Sequence, residues 1–202
     1  MPIKSIRTSV LLLVMLILPL LLLAQPKTAY SVKLAGKKIG EITISKIHNG
    51  NIDTIEVNSE VNFKVLWSKY FRQTTSIVTF KNNGLTSSYT NIRLDHELED
   101  STALILTKNK YQGYRYPNEQ VELADLSISY SSVKLYFEEP VGKSEIFSER
   151  FLANCPIKVI GEGKYRLYLP NGKQNTYTYV NGELIEVFVD RTWFNIRFCK
   201  ED

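Results

Sequence analysis

Between Ile55 and Val65 every second residue is apolar or small: Ile55, Val57, Ser59, Val61, Phe63 and Val65 alternate with Glu56, Asn58, Glu60, Asn62 and Lys64. A repeat of two places successive side chains on opposite faces of a pleated chain, so this stretch predicts a strand that is long for a globular protein and has one whole face to bury. The segments around it follow the same pattern. Tyr30, Val32 and Leu34 alternate with polar positions, Gly36-Lys37-Lys38 makes a turn, and Ile39 to Ile47 resumes, which reads as an opening hairpin. His48-Asn49-Gly50-Asn51 and Asn82-Asn83-Gly84 each contain Asn-Gly, the strongest short-range hairpin signal. A return strand follows within residues 70–80, then Leu85 to Leu94, then Leu98 to Leu106 after the charged Asp95-His96-Glu97. Connections this short cannot carry parallel crossovers, so neighbouring strands pair antiparallel.

A single-faced sheet must be covered, and one helical candidate is present. From Asp125 to Phe137, the residues Leu126, Tyr130, Val133 and Phe137 recur at helical spacing, Asp125 or Ser127 can cap the start, and Pro140 follows the end. Ile128, Tyr130 and the run Val133 to Phe137 also suit a strand; the helical spacing predicts a helix over about 125–137. Past Pro140-Val141-Gly142 the alternation returns in residues 145–151, 157–160, 165–169, 175–180, 184–189 and 193–198, with turns at Pro170-Asn171-Gly172 and Asn181-Gly182. The expected fold is mainly β: a long antiparallel meander forming a curled sheet or open barrel with one short helix, preceded by an N-terminal signal helix.

That signal is read from Lys4 and Arg7, an apolar run from Val10 to Leu23 interrupted by Pro19, and the small Ala24 before polar chain. This is the order of a cleavable export signal, with the cut between Ala24 and Gln25. The run has fourteen positions, short of the about 20 that a helix needs to cross a bilayer core, so no permanent span is expected after cleavage. Residues 1–24 are then the signal peptide and 25–202 a single all-β domain, periplasmic or secreted. Losing Lys4 and Arg7 lowers the formal charge from +4 to +2, and the remaining cations are interspersed with acids, so a nucleic-acid partner is not expected. Cys155 and Cys199 are free to pair in an oxidising compartment or to remain as two buried thiols; their spacing fits no metal or redox motif.

The stretch Leu135-Tyr136-Phe137-Glu138-Glu139-Pro140-Val141-Gly142 through Ile146-Phe147-Ser148-Glu149, with Leu169-Pro170-Asn171-Gly172-Lys173, Asn175 through Asn181-Gly182, and the opening Gly36-Lys37-Lys38-Ile39-Gly40 hairpin, resembles a family of exported Bacteroidota proteins classed as a domain of unknown function. It is also similar to a broader group of envelope proteins built on a curled antiparallel sheet with one helix. The resemblance covers nearly all of residues 28–199 and implies the compartment and the fold; it implies no catalytic residues.

Several constellations carry residue types capable of chemistry. Asp95-His96-Glu97 offers three ligand types in a row, but adjacent residues point apart, and the other histidine, His48, lies in a predicted turn, so no metal site is expected. Glu138 and Glu139 with Glu149 could form the carboxylate pair of a glycan hydrolase; surface charge, or an ion pair to Arg150, is the plainer account. Ser148 lacks a nucleophile elbow, and Gly161-Glu162-Gly163-Lys164 lacks the spacing and helix of a phosphate loop. The unusual feature is the 12 Tyr, 9 Phe and 2 Trp. Tyr111, Tyr114 and Tyr116, with Tyr165 and Tyr168, are either strand packing or the lining of an aromatic concavity that binds an apolar or sugar ligand. The leading functional expectation is a non-enzymatic envelope domain, without cofactor, that holds or carries an apolar small molecule. The alternative is a structural or protein-interaction module with a filled core that contacts another envelope protein, and a glycan hydrolase comes third.

Overall fold

A computed structural model of the chain describes residues 27–65, 67–123, 127–190 and 195–201. The expected signal helix and its Ala24–Gln25 junction lie outside the described residues, as do Asp125, Leu126 and the start of the strand expected over 193–198.

Two meanders form, for the most part where the alternation placed them. The first runs β1 (Lys27–Leu34), β2 (Lys37–Asn49), β3 (Ile52–Val65), β4 (Ser68–Lys81), β5 (Gly84–Leu94), β6 (Glu97–Thr107), β7 (Lys110–Arg115) and β8 (Glu119–Leu123). The second runs β9 (Glu145–Ser148), β10 (Ala153–Gly161), β11 (Lys164–Tyr168), β12 (Gln174–Val180), β13 (Glu183–Val189) and β14 (Ile196–Lys200). They share one antiparallel sheet, ordered from β8 down to β1 and then from β14 down to β9. The first and last strands therefore meet in the middle, with Tyr30 opposite Lys200 and Leu34 opposite Ile196. The chain leaves this order once, between β8 and β9, which are the two edges of the sheet. No strands were expected at β7 and β8, where the tyrosine cluster hid a Lys108-Asn109 turn held at positive φ.

The parity of each strand decides the interior. Ile55, Val57, Ser59, Val61 and Phe63 of β3 stand opposite Val78, Ser76, Thr74, Arg72 and Tyr70 of β4, so these positions share one face. The buried core forms on that face, from Tyr30, Ile42, Ile44, Ile55, Val78, Phe80 and Leu85 round to Tyr177, Tyr179 and Leu184. Register shifts in the β1–β2, β4–β5, β5–β6 and β12–β13 ladders add local twist to the curl. At the first of these Gly40 has no room for a side chain: a Cβ would lie 2.1 Å from Glu60 O.

The connection between the edges is shorter in helix than expected. One 3-10 turn spans Ser132–Tyr136. The residues before it follow the strand-like alternation instead: Ile128 is buried between exposed Ser127 and Ser129, its carbonyl accepts the Leu85 N–H at 2.7 Å, and Ser131 forms a parallel bridge with Phe147. Bonds to the sheet satisfy this backbone, and tertiary pairing overrides a modest helix propensity.

No ladder joins the β8 and β9 edges; the turn after β9 packs instead onto β6 and β7. Thr102 of β6 donates to Glu149 O at 2.8 Å, and Arg115 of β7 donates to Phe151 O at 2.6 Å. Arg150 Nε reaches Asp100 of β6 at 3.1 Å. Leu152 presses against Gly113 of β7, where an added Cβ would sit 3.0 Å from its Cδ1. The result is an open barrel that no ladder closes, its seam held by these contacts of the turn after β9 with β6 and β7.

Candidate functional site

The interior of this open barrel is filled at one end only. At the filled end the 127–144 segment acts as a plug. Leu135 is fully buried in the core cluster with Ile128 and Val133, each such side chain worth about 1.5–3 kcal/mol of burial. Tyrosines from the wall tie the plug down: Tyr179 donates to Leu135 O at 2.6 Å, Tyr165 to Glu139 Oε1 at 2.7 Å, and the Tyr30 and Tyr136 rings meet edge to face at 5.5 Å. Lys134 donates to Ser129 O at 2.8 Å and lies 4.4 Å over the Phe80 ring, and burial lowers its ammonium from the ordinary value. Glu149, only 2% exposed, accepts from Ser132 Oγ and, at 3.5 Å, from the Val133 N–H. Burial raises its carboxyl above the usual carboxylate range, with those hydrogen bonds opposing.

At the other end the same strands enclose a cavity of about 300 Å³. One wall is apolar, made by Val32, Leu34 and Ile39 with Val189, Ile196 and Phe198. The facing wall is mainly polar, with Ser59, Thr74, Ser76 and Thr90, beside the buried Ile92, leading to Arg72 and Arg150; Val61 and Phe63 of β3 lie between the two walls. Ser76 and Thr90 bond each other at 2.8 Å. Arg72 Nη1 pairs with Glu99 at 3.0 Å and Arg150 with Asp100 at 3.1 Å. Burial lowers the Arg72 guanidinium from its ordinary value, Glu99 opposes this, and the neighbouring Arg150 cation adds to it.

The five tyrosines singled out from the sequence are not brought together. Tyr111 and Tyr165 point inward and end in hydrogen bonds, Tyr111 to Leu85 O at 2.6 Å. Tyr114 and Tyr168 face the outside of the sheet, the latter beneath Lys158, and Tyr116 is exposed at the turn before β8. None of the five lines the cavity, whose aromatic residues are Phe63 and Phe198. Sequence reasoning missed Arg72, although it falls in register with Val78 and Phe80 and is thus a cation on an inward position. Arg150 carried no such signal, since it lies in a turn.

The remaining candidates resolve into structure. Cys155 and Cys199 are both free thiols. Cys155 points into the core while Cys199, one residue from inward Phe198, points out, four strands away, so the fold holds the two thiols apart. Asp95 accepts the Phe71 N–H at 2.8 Å and so shapes its turn, while His48 contacts Asp53 at 2.5 Å. Among the described residues no cluster of three ligating side chains occurs. Glu138 is exposed, Glu139 holds Tyr165, and Glu149 is sealed behind the plug. Gly161 to Lys164 is the β10–β11 turn.

Curled sheet, internal plug and half-empty interior define a β-barrel-like domain. The chain belongs to the family DUF6134, a domain of unknown function, whose model matches residues 30–200. Its fold is similar to the crystal structure of a β-barrel-like protein of the domain of unknown function DUF1849 from Brucella abortus, with a TM-score of 0.53 and 9% identity, covering 87% of this chain and 95% of that one. No curated protein matches the chain.

Proposed function

We propose that this protein is an exported, non-enzymatic envelope domain that holds an apolar small molecule in the unfilled half of its curled sheet. One observation carries the reading. The plug covers the inward apolar side chains at one end, whereas at the other Leu34, Ile39, Val61, Ile196 and Phe198 stay only half-buried around a cavity whose facing wall is mainly polar. Apolar surface left against water costs about 25 cal/mol per Å², and an apolar guest removes that cost. The apolar run Val10 to Leu23 and the resemblance to exported Bacteroidota proteins support the export part of the reading.

The test uses 1-N-phenylnaphthylamine, a neutral fluorophore that brightens in apolar surroundings. Saturable enhancement at one site is expected, together with its loss in Thr74→Phe, which fills the cavity from the polar wall. Enhancement that survives Thr74→Phe, or none with the unaltered protein, contradicts the proposal.

A further inference from the structure

The cavity has a direction. Its apolar wall comes from β1, β2, β13 and β14, and its polar wall ends in two guanidiniums. Both Arg72 and Arg150 line the space, while the acids that pair with them, Glu99 and Asp100, do not. Asp100 stands opposite the cavity-lining Ile92 and shares its inward face, and each acid holds its arginine in place from beside the cavity. Each pair engages one nitrogen of the guanidinium, Nη1 of Arg72 and Nε of Arg150, and an arginine carries five N–H donors. Donors therefore remain on both residues for a group inside the cavity.

We infer that the cavity takes a single-tailed amphiphile with a carboxylate head, its tail along the apolar wall and its head at Arg72 and Arg150. This rests on the ligand-holding reading above and adds the class of ligand. Size argues for one tail, because a volume of about 300 Å³ stands at the lower limit of ordinary small-molecule sites. Charge argues for a monoanion: two acids already neutralise the two cations, so a singly charged head leaves the cluster at one net negative charge where a dianionic phosphate leaves it at two. Geometry agrees, since guanidinium N–H groups match the two oxygens of a carboxylate.

Titration calorimetry on the full chain with decanoate, 1-decanol, decylammonium and decyl phosphate, each below its micelle concentration, tests the assignment. Decanoate should bind tightest, by about tenfold over decanol, the worth of one charge-assisted hydrogen bond. Arg72→Gln should bring decanoate down towards decanol while leaving decanol unchanged. Arg150 also fastens the seam, so the comparison of head groups on the unaltered protein serves as the decisive arm. Equal binding of decanoate, decanol and decylammonium overturns the head-group assignment and leaves the apolar site standing. Tighter binding of decyl phosphate overturns the carboxylate. Binding of none overturns the ligand-holding reading itself.

Discussion

Tyrosine is used in this interior as an apolar ring with a polar end. Tyr30 donates to Leu184 O at 3.0 Å, Tyr111 to Leu85 O and Tyr179 to Leu135 O at 2.6 Å each. The rings fill volume, and the hydroxyls satisfy carbonyls that a purely apolar core would leave unpaired. Burial pushes the Tyr30 hydroxyl up to about 12 and Tyr179 higher still, so both remain donors at any ordinary pH. Tyr179→Phe is expected to cost about 1–3 kcal/mol, the penalty for an orphaned buried carbonyl, whereas Tyr116→Phe at its exposed position should stay within about 0.5 kcal/mol; urea unfolding of both variants checks this. Glu149 gives a pH dependence of opposite sign to that of a surface carboxylate. Its folded pKa lies above the unfolded one, so the fold binds the proton more tightly, and the contribution is full below the unfolded pKa and lost as pH rises through the folded value. Glu149→Gln should therefore gain on the unaltered protein in melting temperature as pH is raised from the ordinary carboxylate range towards neutrality. A difference that is flat across that range, or that shrinks with rising pH, contradicts this.

At the scale of elements, the seam depends on one small residue. Gly113 leaves the dimple into which Leu152 fits, with Leu104 Cδ1 at 3.1 Å from where a Cβ would be. Gly113→Val should destabilise by about 1–3 kcal/mol through overpacking, and Leu152→Ala in the same chain should recover part of the loss in a double-mutant cycle. Additive losses would mean that the two residues do not meet. Strand order from β1 to β6 and along the second meander was legible because period-two alternation and Asn-Gly turns are local signals. The pairing of β1 with β14 was not, since nothing at Tyr30 refers to Lys200. The 125–137 region misled in part because its apolar spacing satisfies both a helix and a strand; Leu85 and Phe147, distant in sequence, decide between them. The cavity was legible only as a need, a long inward stripe requiring cover. Which end of that stripe the plug would leave open depends on where Leu135 lands, and no local pattern encodes that.

Over the whole molecule, the wall is a sheet that curls but does not close, the plug occupies one half of the interior, and the cavity occupies the other. The export part of the proposal predicts that protein recovered from outside the cytoplasm begins at Gln25, as N-terminal sequencing would reveal; an intact Met1 or a start beyond the strand at Lys27 contradicts it. The central claim concerns the unfilled half. Its most direct test is native mass spectrometry of the protein purified gently from the cells that make it, with the Thr74→Phe variant prepared in parallel. The account predicts a bound species of small-molecule mass at one per chain, released on denaturation and absent from the variant. A bare chain mass in both preparations, or the same adduct in both, would contradict it.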